Sequence, residues 1–209
     1  MTQRRIRLSS AYKNGTLILM KIILGSQSLS RAKILQDMEY AFDTMSADID
    51  EKAIRDQDPY KLTLALAHAK ADALVKRISE PALIITSDQV AVCNGTIREK
   101  PTNTAEAEAF LHSYSHHPAE TITSVVVTNT ETGKRFEGTD HAAVWFRFLP
   151  NDVIKQLIDE GDVFRCAGGF SVEGPLLKKY RERVEGTIDS IIGLPKHLVK
   201  ELLCRAQEK

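Results

Sequence analysis

The feature that most constrains the fold is a short buried strand followed at once by a hairpin signal. Residues 82–85 are all apolar, as in a strand buried on both faces, and the polar residues 86–88 then end the run. Asn94 and Gly95 form a two-residue turn that is typical of antiparallel hairpins, and the apolar segments that flank it fit its two strands. This combination favours a mixed sheet over a purely parallel one.

Helix and strand signals alternate along the rest of the chain. Residues 17–24 form an apolar strand that leads through a polar loop into a helix beginning near Ala32. Asp58 caps a helix that runs to Ile78, and a capping box opens another at Asn103. Further strands are predicted over 124–128 and 142–148, and further helices over 151–160 and 196–207. Strand–helix units mixed with hairpins indicate an α/β fold with a mixed sheet flanked by helices.

Composition is that of a folded protein of moderate size. The 209 residues are 43% hydrophobic and 27% charged, and 28 basic residues balance 28 acidic ones. Such a chain buries one sizeable core, or two small lobes that share one, and its zero net charge argues against bulk binding to nucleic acid. The apolar run 17–24 is interrupted by Lys21 and is too short to cross a membrane. Cys93, Cys166 and Cys204 form no CxxC pair, which indicates buried or free thiols in a reducing compartment such as the cytoplasm.

The N-terminal stretch carries a strong charge bias. No acidic residue precedes Asp37, whereas many basic ones do: Arg4, Arg5, Arg7, Lys13, Lys21, Arg31 and Lys33. This bias is typical either of a disordered tail or of a transit peptide for an organelle. We therefore expect an N-terminal extension over residues 1–19 and, because no linker interrupts the remainder, a single domain over 20–209.

The polar loop after the first predicted strand has the features of an anion-binding site. Ser28 or Ser30 can cap the following helix, and the free N–H groups of a helix start attract anions. Arg31 lies in the first helical turn, where the helix dipole disfavours a cation unless an anion is held there. The loop predicts a phosphate cradle, and the alternative is a capped helix with a solvated Arg31. It is not a P-loop, because GxxxxGK[ST] is absent.

Acidic and basic residues elsewhere could act together with such a cradle. Asp88 follows the apolar strand, at the sheet edge where α/β folds bind ligands, although it could also cap a turn. The acidic segment 48–51 could supply oxygen ligands to Mg²⁺ or form a solvated turn. Lys70 and Lys100, taken singly, fit surface lysines. Taken together, these groups suit a metal-assisted attack of water on a phosphoanhydride.

The order of these motifs resembles that of the Maf family, nucleoside triphosphate pyrophosphatases once described as septum-formation inhibitors. The resemblance covers residues 20–203, nearly the whole chain. Ser26, Ser28 and Arg31 match the family's SxSxxR motif, and residues 48–51 match its acidic motif. The other matching positions are Ala69, Lys70 and Ala71, then Ser87, Asp88, Gln89 and Val90, then Lys100 and Pro101, Ala167 and Gly168, and finally Gly193, Leu194 and Pro195.

This resemblance implies a reaction and a set of residue roles. Family members hydrolyse a nucleoside triphosphate to a monophosphate and diphosphate with Mg²⁺ or Mn²⁺, and they commonly form homodimers. Their mixed α/β fold, shared with the inosine triphosphate pyrophosphatase group, has two lobes around a nucleotide cleft. The implied roles are phosphate binding by Ser26, Ser28 and Arg31, charge stabilisation by Lys70 and Lys100, metal binding by Glu51 and Asp88, and general-base catalysis by Asp88. Neither nucleic acid nor a membrane is an expected partner.

Two positions are similar to the branch of the family that acts on 7-methyl-GTP. Gln89 follows Asp88 and Cys166 precedes Ala-Gly, where the dTTP and UTP branch usually has Thr and Lys. Gln89 and Glu173 are predicted to hydrogen-bond the base. The carboxylate of Glu173 suits a cationic methylated purine. Two alternatives stay open. One is a pyrophosphatase for dTTP, UTP or CTP, and the other is a cell-division regulator that binds nucleotide or nucleic acid without catalysis.

Overall fold

The computed structural model describes residues 12–13, 16–17 and 20–208. The two short N-terminal segments form strands β1 (Tyr12–Lys13) and β2 (Thr16–Leu17), which pair antiparallel. Otherwise the predicted extension over residues 1–19 lies outside the described residues, and it stays a prediction. The predicted first strand of the domain is shorter than residues 17–24, because it begins only at Lys21.

Most of the predicted elements are present, with different ends. The other strands are β3 (Lys21–Leu24), β4 (Phe42–Thr44), β5 (Ala82–Cys93), β6 (Thr96–Arg98), β7 (Ala119–Asn129), β8 (Arg135–Phe146) and β9 (Arg181–Glu185). The α-helices are α1 (Leu29–Asp37), α2 (Pro59–Val75), α3 (Thr104–Ser113), α4 (Asn151–Glu160), α5 (Pro175–Lys178), α6 (Ile188–Ile192) and α7 (Lys196–Arg205). No helix in the described ranges combines the length and apolar character that a membrane crossing needs.

A single mixed sheet organises residues 20–208. Its strand order is β4-β3-β5-β7-β8-β9, and β6 pairs with the far part of β5. Strand β3 runs parallel to β4 and β5, whereas β7 is antiparallel to β5 and β8, and β8 is antiparallel to β9. The parallel pairs come from strand–helix units, and the antiparallel pairs β5–β6 and β7–β8 are hairpins. Helices lie between the partners of the other two antiparallel pairs, β5–β7 and β8–β9. The predicted α/β class with a mixed sheet is therefore confirmed.

The two largest hydrophobic clusters of the described residues, called the two cores below, lie toward opposite ends of β5. The first gathers side chains of β3, α1 and α7, and it includes Leu83 and Ile85 of β5. The second gathers side chains of α3 and α4, and it includes Ala91 and Cys93. The polar part of β5 lies between the two cores, as expected for two lobes around a cleft.

Strand β5 is longer than predicted, which corrects the position of Asp88. The polar residues 86–88 do not end the strand, because β7 pairs with β5 without interruption from Leu83 to Val92. Asp88 lies opposite Ser124 in the middle of this ladder rather than at a strand end. Polar side chains are tolerated there because hydrogen-bonding and charged groups of neighbouring elements reach them.

The opposite edge of β5 contains a notch, which we define as the β3-facing backbone of residues 86–90. Strand β3 pairs with β5 only as far as Ile85, and β6 joins β5 only from Ala91. Among the described strands, none covers this edge between those two points. Residues 86–90 therefore offer backbone groups to side chains, and Asp88 does lie beside the carboxyl end of a parallel pair, where α/β proteins bind ligands.

Candidate active site

Lys70, Asp88 and Glu51 meet beside the notch. Nζ of Lys70 lies 2.6 Å from Oδ1 of Asp88 and 2.8 Å from Oε1 of Glu51. The side chains of Lys70 and Asp88 are each only 11% exposed, whereas that of Glu51 is 57% exposed. A buried ammonium group thus bridges one deep carboxylate and one carboxylate that is open to solvent.

Helix α2 can hold Lys70 over β5 because small residues lie next to Lys70 on the buried side of the helix. Ala67 and Ala71 are fully buried and pack with Val126 of β7. Oγ1 of Thr86, on β5, donates to the backbone carbonyl of Ala67 at 2.8 Å. Lys70 lies three residues after Ala67 and four before the buried Leu74, so it shares this inner face and points toward the sheet.

Burial and charge act in opposite directions on Asp88. Burial raises the pKa of the Asp88 carboxyl above its ordinary value, and the nearby charge of Glu51 acts in the same direction. The positive charges of Lys70 and Arg31 oppose this effect but do not cancel it, so the pKa of Asp88 stays raised. A carboxylate with a raised pKa accepts a proton more readily than a solvent-exposed aspartate does, which suits a general base.

Within the acidic segment 48–51, Glu51 is the residue that contacts Lys70. Asp50 caps the 3-10 helix Glu51–Ala53, and its Oδ1 accepts a hydrogen bond from the Lys52 amide at 3.1 Å. Asp48 adopts a positive φ of 41° and its Oδ2 lies 3.5 Å from Nη1 of Arg77. Asp48 and Asp50 therefore shape the turn, and this turn presents the Glu51 carboxylate.

The loop predicted to bind anions precedes α1 and carries an oriented Arg31. Ser28 caps α1, since its Oγ accepts from the Arg31 amide at 3.3 Å, and Oγ of Ser26 accepts from the Ser28 amide at 3.2 Å. The Arg31 side chain reaches into the notch and donates from Nη1 to the Ser87 carbonyl at 2.9 Å. Its Nε donates to the Gly193 carbonyl, also at 2.9 Å. Arg31 is thus held in place rather than solvated.

Gln89 lies on the other face of the sheet from Asp88, because side chains alternate along a strand. Its Nε2 lies 2.8 Å from Oγ1 of Thr123, 3.0 Å from the Ser190 carbonyl and 3.1 Å from the Ile191 carbonyl. Ser190 and Ile191 belong to α6. The structure therefore places the Gln89 amide against α6 and away from the Lys70–Asp88 pair.

Lys100 and Glu173 are both exposed and lie on loops. Next to Lys100, the carboxylate of Glu99 lies 3.1 Å from Nη1 of Arg55, which follows the 3-10 helix of Glu51. The Glu99 carbonyl accepts from the Gly168 amide at 3.0 Å. These contacts connect the Lys100 loop to the segment that follows Glu51 and to the 3-10 helix Ala167–Gly169. Within the described ranges, neither Lys100 nor Glu173 makes a hydrogen bond or ion pair, so neither contacts Asp88.

Buried hydroxyl groups beside the site were missed in the sequence. Oγ of Ser124 lies 2.8 Å from Oγ1 of Thr63 and 2.8 Å from Oγ1 of Thr139. Oγ of Ser87 donates to the backbone carbonyl of Gly193 at 3.1 Å. Both serines are fully buried. The sequence pattern that could have pointed to them is a hydroxyl residue inside an otherwise apolar strand, since a buried hydroxyl group requires a hydrogen-bond partner.

The donors at this site fit a divalent cation that is bound together with phosphate oxygens. Between residues 20 and 208, no group of three or more His, Cys, Asp and Glu side chains is arranged to hold a metal by itself. Mg²⁺ is usually bound by one or two carboxylates together with water and substrate phosphates, rather than by a closed protein cage. Glu51 and Asp88 provide two such carboxylates, which lie close together because both contact the Lys70 ammonium group.

The chain belongs to the Maf family, because a family model described as "Maf-like protein" matches residues 21–206. A 7-methyl-GTP pyrophosphatase from Dictyostelium discoideum is 48% identical over 194 residues, which are 90% of this chain and 98% of that protein. Another 7-methyl-GTP pyrophosphatase, from Idiomarina loihiensis, is 36% identical over 87% of this chain and 92% of its own length. A dTTP/UTP pyrophosphatase from Vibrio vulnificus is 31% identical over 88% of this chain and 97% of its own length.

Proposed function

We propose that the protein is a nucleoside triphosphate pyrophosphatase, which hydrolyses its substrate to a nucleoside monophosphate and diphosphate. The observation that carries the proposal is the buried Lys70 ammonium bridging Asp88 and Glu51, beside the loop that holds Arg31. Relatives that match this chain over most of its length are named as pyrophosphatases of nucleotides. Positioned cations next to a buried base are what phosphoryl-transfer chemistry requires.

In the proposed mechanism, water attacks the α-phosphorus and Asp88 takes its proton. The bond between the α-phosphorus and the oxygen that bridges to the β-phosphorus breaks, and diphosphate leaves with that electron pair. Lys70 holds the Asp88 carboxylate at 2.6 Å and orients it toward the water. Ser26, Ser28 and Arg31 bind phosphate oxygens at the start of α1, where free N–H groups favour an anion. Lys100 approaches from its exposed loop and stabilises the negative charge.

We propose that Glu51 and Asp88 hold Mg²⁺ or Mn²⁺. Such an ion, when bound, neutralises phosphate charge and makes the phosphorus more susceptible to attack. Because Lys70 contacts both carboxylates, it holds them close together before any cation binds.

The proposed substrate is 7-methyl-GTP. Support comes from Gln89 and Cys166, which follow the pattern of that branch, and from the 48% identity to a relative named for this substrate. The dTTP/UTP relative is less similar, at 31%. Glu173 is proposed as a carboxylate contact to the methylated purine.

We further propose a cytoplasmic homodimer, and light scattering after size-exclusion chromatography tests its assembly.

Diphosphate release by the purified protein tests the proposal. The assay contains Mg²⁺ or Mn²⁺ and, in separate reactions, 7-methyl-GTP, GTP, UTP, dTTP and CTP. Release mainly from 7-methyl-GTP supports both the reaction and the substrate. Release mainly from a pyrimidine triphosphate keeps the reaction and overturns the substrate. Nucleotide binding without any release contradicts the proposal and favours a regulator without catalysis.

A further inference from the structure

We infer that Ser87 and Gln89 are positioning residues for Arg31: they hold the C-terminal end of α6, whose Gly193 carbonyl orients the guanidinium group. The inference rests on the proposed function in one respect, which is that Arg31 binds phosphate. It also gives Gln89 a role that differs from the base contact predicted from the sequence.

The C-terminal end of α6 is held by side-chain donors from β5. Carbonyl groups in the last turn of a helix lack partners within that helix. Here Nε2 of Gln89 lies 3.0 Å from the Ser190 carbonyl and 3.1 Å from the Ile191 carbonyl. The opposite amide orientation would place the Gln89 oxygen against two carbonyl oxygens, so the nitrogen must face α6. Oγ1 of Thr123 supports the same end at 3.4 Å from the Ser190 carbonyl.

Ser87 connects this helix end to Arg31. Its Oγ donates to the Gly193 carbonyl at 3.1 Å, and the same carbonyl accepts from Nε of Arg31 at 2.9 Å. The backbone carbonyl of Ser87 accepts from Nη1 of Arg31 at 2.9 Å. Two of the five N–H donors of the guanidinium group therefore contact fixed carbonyls. The remaining donors, on Nη1 and Nη2, are left in one plane for an incoming phosphate.

The position of Gly193 shows how closely these groups fit. Its φ is 107°, a left-handed conformation that favours glycine. A Cβ added there would lie 3.1 Å from Oε1 of Gln89 and 3.3 Å from Nε of Arg31. A side chain at this position would therefore push against both residues at once, which places Gln89, Gly193 and Arg31 in one packed unit.

This arrangement predicts an effect on phosphate rather than on the base. Helix α6 has only five residues, so its end depends on tertiary contacts for its position. Without the Gln89 donors, the Gly193 carbonyl is free to move, and Arg31 must be ordered when the ligand binds. The entropy cost of ordering the Arg31 guanidinium group when phosphate binds lowers the affinity for phosphate.

Binding of inorganic tripolyphosphate tests the inference, because this ligand has phosphates and no base. Calorimetry in the presence of Mg²⁺ compares the wild type with Gln89→Met, Ser87→Ala and Arg31→Lys. We expect Gln89→Met and Ser87→Ala each to weaken binding by about tenfold, the effect of losing one such oriented contact. In the Arg31→Lys background, the Gln89→Met change should weaken binding little further, since both changes disrupt the same contact.

A matched control separates positioning from general loss of stability. Asn129 is a buried amide that donates to the Ala206 carbonyl at the end of α7, at 2.9 Å. Asn129→Leu should lower thermal stability and leave tripolyphosphate affinity unchanged. If Gln89→Met fails to fold, Ser87→Ala carries the test alone.

Several outcomes would overturn the inference. They are undiminished tripolyphosphate binding by both β5 variants, additive effects with Arg31→Lys, and absence of binding by the wild type. Loss confined to 7-methyl-GTP would instead make Gln89 a base contact. Wild-type binding of tripolyphosphate without diphosphate release from any nucleotide would contradict the proposed function and leave the positioning role intact.

Discussion

A carboxylate in a protein interior is stable only when nearby positive charge matches it, and Asp88 has two such neighbours. Lys70 contacts it directly, and the charge of Arg31 acts on it from the notch. That Asp88 belongs to a binding site could be predicted from the sequence, because this carboxylate follows an apolar strand. Its pairing with Lys70 could not, because it depends on how α2 crosses the sheet.

Replacing Asp88 by asparagine should abolish turnover while nucleotide still binds. The side chain keeps its size but cannot accept a proton, so we expect diphosphate release to fall by about 10²–10⁴-fold. Thermal shift with nucleotide checks that binding persists. Asp72→Asn is the control, since Asp72 lies on the same helix and pairs with Arg135 at the surface. Equal loss of binding and turnover would assign Asp88 a structural role.

The pH dependence of activity should reflect the raised pKa of Asp88. A general base acts only when ionised, so kcat/KM falls as decreasing pH protonates Asp88. Because burial raises this pKa, the acidic limb should lie at higher pH than for an ordinary aspartate. Lys70→Gln removes a positive charge that lowers the Asp88 pKa, so it should move the acidic limb of the kcat/KM profile to still higher pH. Lys76→Gln, at the exposed end of α2, is the control and should leave this limb in place. An unmoved limb in Lys70→Gln would show that another group titrates.

The notch and the turn after β3 depend on a close approach between elements. Gly25 directly follows β3 and passes between α2 and β5. A Cβ there would lie 2.5 Å from Cδ1 of Leu74, 2.7 Å from Cγ2 of Thr86 and 3.3 Å from the Ile85 carbonyl. Glycine at this point is therefore required by packing, since its backbone needs no positive φ.

Gly25→Ala should destabilise the fold by about 1–3 kcal/mol, the usual cost of overpacking a core. Chemical denaturation measures this change in the free energy of unfolding. Gly138→Ala is the matched control, because a Cβ there meets only the flexible end of Leu198, also at 2.5 Å. Equal destabilisation by the two variants would show that the neighbours of Gly25 move as easily as Leu198 does.

The two cores share the long strands β5, β7 and β8, so the lobes should unfold together. Leu35→Ala in the first core and Leu111→Ala in the second should each cost about 2–5 kcal/mol. The single tryptophan, Trp145, lies on β8 and provides a local fluorescence signal. We expect its transition to coincide with that of circular dichroism in both variants. Separate transitions in Leu111→Ala would instead show that the lobes unfold independently.

The sequence predicts the general architecture better than it predicts contacts. The hairpin signal at Asn94 and Gly95 correctly indicates a mixed sheet, because turn chemistry is local. Strand β9 was missed, since its sequence is mostly charged and an edge strand needs little apolar pattern. The Arg31–Gly193 hydrogen bond joins residues 162 positions apart. Only the folded sheet brings such partners together, so spacing along the chain could not reveal it.

The arrangement of charges around Lys70 has a consequence for the form in which a nucleotide enters. Lys70 and Arg31 balance the formal charges of Asp88 and Glu51, so these four groups together carry no net charge. A triphosphate carries several negative charges, which these four groups and the single charge of Lys100 do not offset. The true substrate is therefore expected to be a nucleotide already paired with its counter-ion. Reaction velocity should follow the concentration of that complex, and uncomplexed nucleotide added in excess should act as a weak competitor.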